Sequence, residues 1–137
     1  MIVLDASVVL AVILDEVRRY EALAVIESSD ILHAPGLLPY EVVNAISVAK
    51  EDGRLTGPGA SMAIAQFIQL PWAFEAHVGE VRIAAMLSLT TKHRLTGYDA
   101  SYLELAMRSE CPLASFDKEL RAACTAEGVA VLPKKLS

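Results

Sequence analysis

The sequence predicts an α/β fold in which a parallel sheet is covered by helices on both faces. Three observations point there. Short runs such as Ile2-Val3-Leu4 and Leu113-Ala114 are apolar throughout and do not alternate with polar residues, as expected for strands buried on both sides. Stretches with helical spacing of apolar residues separate these runs. Hydrophobic residues make up 54% of the 137, enough for one large core, so a single domain spanning 1–137 is expected.

Taken in order, Ile2-Val3-Leu4-Asp5 reads as a first buried strand. Residues 7–14 and 17–29 read as helices. Residues 31–34 form a second short strand, stopped by Pro35. Residues 38–52 form a helix ended by Gly53, because glycine readily takes the left-handed conformation that closes a helix. Gly57-Pro58-Gly59 is a turn, and a helix follows it to about residue 70. Residues 72–76 suit a short strand. Residues 80–93 and 99–109 are helices, 113–115 a strand, 118–126 a helix, and 129–132 the last strand.

No apolar run approaches the ~18 residues that span a bilayer; the stretch from Ala6 is broken by Asp15 and Glu16. The start of the chain lacks a basic region, so no signal peptide is expected. Cys111 and Cys124 are not spaced as a metal or redox pair, and two reduced thiols in a cytoplasmic protein are the expectation. The mean hydropathy of +0.42 hints at apolar surface kept for a partner. The net charge of −5 argues against a general nucleic-acid binder, unless several acids gather in one metal cluster, where a bound cation would invert the local field.

Sites in parallel α/β sheets form beyond the carboxyl ends of the strands. Asp5 ends the first strand, and Asp117 follows the strand before Phe116. Each also suits an ordinary helix cap, as does Ser7. Asp99 opens a helix, where the dipole alone favours an acid. Glu41 lies at the edge of the apolar stripe of Leu38, Val42, Ala45, Ile46 and Ala49, with Asn44 one turn on. Two unit charges ~5 Å apart at an effective dielectric of ~20 repel by roughly 3 kcal/mol. Four gathered acids therefore need protons or a divalent cation. An all-oxygen donor set selects magnesium or manganese over zinc. His33, His77 and His93 show no ligand spacing.

Four segments together resemble the PIN domain, and within it the VapC toxins of bacterial toxin–antitoxin pairs. They are Ile2-Val3-Leu4-Asp5-Ala6-Ser7, Pro39-Tyr40-Glu41-Val42-Val43-Asn44-Ala45, Tyr98-Asp99-Ala100-Ser101-Tyr102-Leu103-Glu104-Leu105-Ala106, and Pro112-Leu113-Ala114-Ser115-Phe116-Asp117-Lys118-Glu119-Leu120. They occur in the family's order. The resemblance implies a three-layer α/β/α sandwich with a five-stranded parallel sheet. It implies that Asp5, Glu41, Asp99 and Asp117 are the catalytic, metal-holding acids, and that Ser7, Asn44 and Ser115 support them. It further implies cleavage of RNA with Mg2+ or Mn2+, a homodimer, and a cognate antitoxin that blocks the site. Residues 15–30 and 56–76 match no specific motif.

Arg18, Arg19, Lys50, Arg54, Lys92, Arg94, Lys118 and Arg121 are candidate RNA contacts, Lys118 foremost because it adjoins Asp117. Val8, Val9, Ala11, Val12, Val25 and Ile26 are candidates for a dimer or antitoxin surface, although core packing explains most of them equally well. The alternatives are a magnesium-binding phosphoaspartate receiver-like domain and a catalytically silent PIN binding module. A receiver places paired acids after its first strand, where this chain has only Asp5. A haloacid-dehalogenase-type phosphatase needs Asp-x-Asp, and Asp5-Ala6-Ser7 lacks the second acid.

Overall fold

The computed structural model describes residues 1–136. The elements run β1 (Ile2–Leu4), α1 (Ala6–Ile13), α2 (Arg19–Glu27), β2 (Leu32–Pro35), α3 (Leu38–Glu51), α4 (Gly57–Gln69), β3 (Trp72–Glu75), α5 (Glu80–His93), α6 (Gly97–Ser109), β4 (Leu113–Ala114), α7 (Lys118–Ala126) and β5 (Val131–Leu132). The five strands form one sheet in the order β3-β2-β1-β4-β5, and every pairing is parallel.

This order generates the layers. The path β1 to β2 to β3 moves across the sheet in one direction, and β3 to β4 to β5 moves back in the other. Parallel crossovers are right-handed in almost all proteins. Reversing direction therefore puts α1–α4 on one face and α5–α7 on the other. The packing agrees: α1 contacts α2, α3 and α4, whereas α6 lies on β1, β2 and β4 and touches α5 and α7. The expected α/β/α sandwich is what forms. A receiver-like domain has the order 2-1-3-4-5, so the topology removes that alternative.

β1 is central and wholly buried, with Val3 and Leu4 fully inaccessible. The strand order reverses beside it, between β1 and β4, and such a switch point opens a crevice at the carboxyl edge. The ladder extends one residue past β1, where the Asp5 amide donates to the Ala114 carbonyl at 3.0 Å. Asp5 is thereby seated at the mouth of that crevice.

Several boundaries differ from the sequence reading, each for a local reason. Pro35 does not stop the second strand but is its last residue, at the sheet's carboxyl end. Gly57-Pro58-Gly59 is the first turn of α4, not a turn before it: the Thr56 hydroxyl accepts the Gly59 amide at 3.0 Å, and proline is tolerated where a helix has no partner for its N–H. Val129 is outside β5 because its amide donates to the Cys124 carbonyl at 2.8 Å, closing α7. α2 starts at Arg19, after a turn that leaves Val17 fully exposed.

The early helices do not offer the apolar surface anticipated for a partner. Val8, Val9, Ala11, Val25 and Ile26 are buried in the core, and Val12 packs against it. Exposed apolar side chains lie instead on α3 (Tyr40, Val43, Val48), α4 (Met62, Ile64, Ile68) and α5 (Val81, Ile83, Leu87). Gly36 marks a close approach. Its amide donates to the Glu75 carbonyl at 3.0 Å, and a Cβ there would stand 2.9 Å from that oxygen. Both cysteines are free, and burial pushes the Cys124 thiol up to about 12, leaving it unreactive. No helix among the described residues is long and apolar enough to cross a membrane.

Candidate active site

Asp5 is the most deeply set acid, only 5% exposed. It occupies the N-cap position of α1 without making a side-chain capping bond. Its Oδ2 instead accepts the Ser7 hydroxyl at 2.7 Å and the Ser115 hydroxyl at 2.8 Å. Each serine is itself fixed by an amide: Phe116 N–H donates to Ser7 Oγ, and Asp117 N–H to Ser115 Oγ, both at 3.0 Å. With an amide on its lone pair and one proton to give, each hydroxyl points that proton at Asp5. The 3.5 Å separation of the two hydroxyl oxygens is then a contact without a proton between them.

This relay joins the ends of β1 and β4 across the switch point. Burial raises the Asp5 pKa, while Ser7, Ser115 and the amides of Ala6 and Ser7 act in the opposite direction.

Glu41 comes from the first turn of α3, on the other flank of the edge. The stripe predicted for this helix is correct in Leu38, Val42, Ile46 and Ala49, which are buried, and Glu41 stands half-buried beside it. Its Oε1 accepts the Tyr102 hydroxyl at 2.6 Å. Tyr102 rises from α6 on the opposite face of the sheet, so this bond ties the two helical layers together over the strand ends. Burial raises the Glu41 pKa first; the Tyr102 bond opposes it, and the charges of Asp5 and Asp99 add to it.

Asp99 is the third residue of α6, not the first. Thr96 caps the helix by accepting the Asp99 amide at 3.1 Å. Burial, then the charges of Asp5 and Asp117, push the Asp99 carboxyl up to about 6. Asp117 is the N-cap of α7 and accepts the Leu120 amide at 2.8 Å. The capping role open for it in the sequence is therefore real, and its exposed carboxylate still contributes to the field at Asp99.

The four predicted acids thus lie towards one edge, with the charges of Asp5 and Asp117 bearing on Asp99 and those of Asp5 and Asp99 on Glu41. Among the described residues, no three acids, histidines or cysteines converge closely enough to enclose an ion by themselves. By donor chemistry an all-oxygen set suits magnesium, which takes one or two carboxylates directly and keeps several waters. It does not suit structural zinc, which is closed by four nitrogen or sulfur ligands.

Asn44 is exposed and lines a cavity of about 380 Å³ together with Glu41, but the hydrogen bond to Glu41 comes from Tyr102. Sequence reasoning gave Tyr102 no role. Its spacing three residues beyond Asp99 places it on the same face of the helix, which is the signal that was available. On the other side, a cavity of about 650 Å³ adjoins Ser7 and is bordered by Arg18, Arg54 and Phe116.

The candidate cations are mostly engaged. Arg19 pairs with Asp15, Arg54 with Asp52, and Lys92 with Glu127. Arg18 pairs with Glu21 and lies over the Phe116 ring. Arg121 is a structural brace, donating to the carbonyls of Ser115, Leu132 and Pro133. Lys118 is exposed beside Asp117.

An α/β sandwich with four carboxylates towards the carboxyl edge of a parallel sheet defines a candidate acidic active site. Comparison with known proteins gives it a family: residues 2–125 match the PIN domain, and the chain belongs to that family. It is similar to Ribonuclease VapC3 of Pyrobaculum aerophilum, with 29% identity over 87% of this chain and 91% of that one. Among solved structures it is similar to another Pyrobaculum aerophilum protein (TM-score 0.70, 23% identity, covering 96% of this chain and 83% of that one). It is also similar to a chain in a toxin–antitoxin complex from Klebsiella pneumoniae (TM-score 0.68, 14% identity, both chains covered fully).

Proposed function

We propose that this chain is a divalent-metal-dependent endoribonuclease, the toxin of a toxin–antitoxin pair. Membership of the PIN family, the name of the VapC3 relative and the toxin–antitoxin title of a structural neighbour support that reading. The observation that carries the chemistry is the seating of Asp5 at the carboxyl edge by Ser7 and Ser115, close enough to Asp99 and Glu41 that its charge adds to burial in raising both. Such a site favours a cation over an empty cluster.

Asp5 and Asp99 would be the main ligands, with Glu41 and Asp117 completing the shell through water or helping to hold a second ion. When bound, Mg2+ or Mn2+ supplies charge neutralisation at the phosphoryl oxygens and a more acidic water for attack on the phosphodiester. Ser7 and Ser115 fix the Asp5 carboxylate by donating to its Oδ2. Tyr102 orients Glu41 from across the edge. Asn44 and Lys118 stand where RNA would approach. A homodimer, a cytoplasmic location, and a cognate antitoxin that places a cationic side chain against the acids belong to the same proposal.

Incubating the full chain with total RNA and Mg2+, with and without chelator, tests it. Cleavage should need the metal and should be abolished in Asp5→Asn and Asp99→Asn while the circular dichroism spectrum is unchanged. If both variants cut RNA at the unmutated rate, the site assignment is wrong. If the unmutated chain does not cut at all, the silent binding module is the correct reading.

A further inference from the structure

We propose that Tyr40 and Tyr98 form an aromatic gate to a nucleobase subsite beside the acids, which receives a base of single-stranded RNA next to the phosphate to be cut. The proposal rests on the ribonuclease reading above and adds where the neighbouring nucleotide goes.

Each tyrosine immediately precedes a site acid, Glu41 and Asp99 respectively. Successive helical residues are turned by ~100°, so a helix that directs its acid to the cluster sets the preceding ring on the flank. Both rings are strongly exposed, Tyr40 at 74% and Tyr98 at 65%. Neither is needed for the core, and two bare rings at one rim call for another explanation.

The two tyrosines border the same two cavities. One is the small cavity that holds Glu41 and Asn44. The other, of about 520 Å³, has apolar walls from Leu37, Val78, Met86 and Leu105, and its volume falls in the usual range for small-ligand sites. At its polar side Arg82 and Arg108 are held by Glu75, and Arg108 also by the buried Glu104. The guanidinium groups are therefore fixed in place, ready to meet the edge of a planar heterocycle.

Exposed rings leading from a carboxylate cluster into an apolar slot with fixed donors match the requirements of an unstacked base. Such bases are held by aromatic stacking plus edge hydrogen bonds. The phosphate at the acids and the base in the slot would be consecutive parts of one strand.

The test is fluorescence anisotropy with a labelled single-stranded RNA oligonucleotide of mixed sequence, using the full chain in chelator so that no metal-dependent cutting occurs. Tyr40→Ala and Tyr98→Ala should each weaken binding by about 5- to 150-fold, the span for one base–aromatic stack, and Tyr→Phe at either position should stay within about 2-fold. The salt dependence should keep its slope, since no charge is removed. In the unmutated protein, an abasic site walked along the oligonucleotide should lose a similar factor at one or two positions only.

Alanine variants that bind like the unmutated chain, phenylalanine variants that fall as far as alanine, or an abasic walk without effect would each overturn the subsite. So would an unmutated chain that does not bind the oligonucleotide. Cleavage with Mg2+ is scored separately. Cutting with indifferent tyrosines sinks the subsite alone; tyrosine-dependent binding without cutting sinks the nuclease reading alone.

Discussion

Replacing Asp99 with asparagine should stabilise the metal-free protein while destroying its activity. Asp99 ordinarily releases its proton at 3.8, and here does so at about 6. At about 1.4 kcal/mol per pH unit, that displacement is worth at most about 3 kcal/mol. The residue is only partly buried, so solvent screens part of the effect, and about 1–2 kcal/mol is the expected gain. For a domain of this size that corresponds to about 3–8 °C in Tm.

The sign follows from the direction of the shift. Below pH 3.8 the carboxyl is neutral in both folded and unfolded chains, and no penalty exists. Between 3.8 and 6 the unfolded chain ionises while the folded one resists, so the penalty grows; above 6 it is complete. In chelator at pH 7.5, Asp99→Asn should therefore melt above the unmutated chain, and the difference should close as the pH falls towards 4. Saturating Mg2+ should invert the order, because a ligand at a hundredfold excess over its Kd adds about 2.7 kcal/mol to the chain that binds it. Thermal melts in chelator and in Mg2+ across this pH range read all three effects. Equal melting temperatures in chelator, or equal gains from Mg2+ in both chains, would refute the picture of mutually repelling acids that a cation relieves.

Ser115→Ala removes one of two hydroxyls on Asp5 and the partner of the Asp117 amide. It should cost about 2–3 kcal/mol in denaturant unfolding and should raise the pH needed for metal-dependent cleavage, because Ser115 lowers the Asp5 pKa. Tyr102→Phe keeps the buried ring but frees Glu41 Oε1. The Glu41 pKa should then rise further, moving the acidic limb of the pH–rate profile upward, with a several-fold higher Mg2+ requirement as the accompanying readout. Gly36→Ala sets a Cβ 2.9 Å from the Glu75 carbonyl oxygen. It should cost about 1–3 kcal/mol in a thermal melt, and an unchanged Tm would mean that β2 and β3 separate there without penalty.

Much of the fold was legible because its signals are local. α5 and α7 begin and end where the apolar spacing places them, and strands as apolar as β1 admit no solvated face. The acids were legible for a related reason: Asp5 and Asp117 fall at strand-to-helix junctions, which parallel α/β topology collects at one edge, and Asp99 lies in the first turn of α6, the helix that leads back to β4. Errors arose where one bond decides the boundary. The Thr56 hydroxyl moves the start of α4 ahead of two glycines and a proline, and the Val129 amide closes α7 instead of lengthening β5. Val8, Val9 and Ala11 read as surface and core alike, because an apolar stripe does not say which of several neighbours will cover it. The neighbour became known only with the packing of α1 against α2, α3 and α4.

What holds the acids in place was hidden for a different reason. Ser115 and Asp5 are 110 residues apart, and Tyr102 and Glu41 are 61 apart, so no periodicity links them. The strand order does, by setting β4 against β1 and bringing α6 over the same edge as α3. That placement shapes the chemistry. Asp5 is as buried as a core leucine, which raises its proton affinity, yet two hydroxyls held in position by backbone amides stabilise its charge. Glu41 is likewise raised by burial and eased by one phenol. Asp99 is raised to about 6 by burial and by the charges of Asp5 and Asp117, and the Thr96 hydroxyl opposes that rise. The protein thus holds three carboxyls raised by burial at one edge, each eased by a neighbouring hydroxyl. A cation binding here would relieve the charges that Asp5 and Asp117 impose on Asp99, so Asp99→Asn is a direct way to read the metal's contribution to stability.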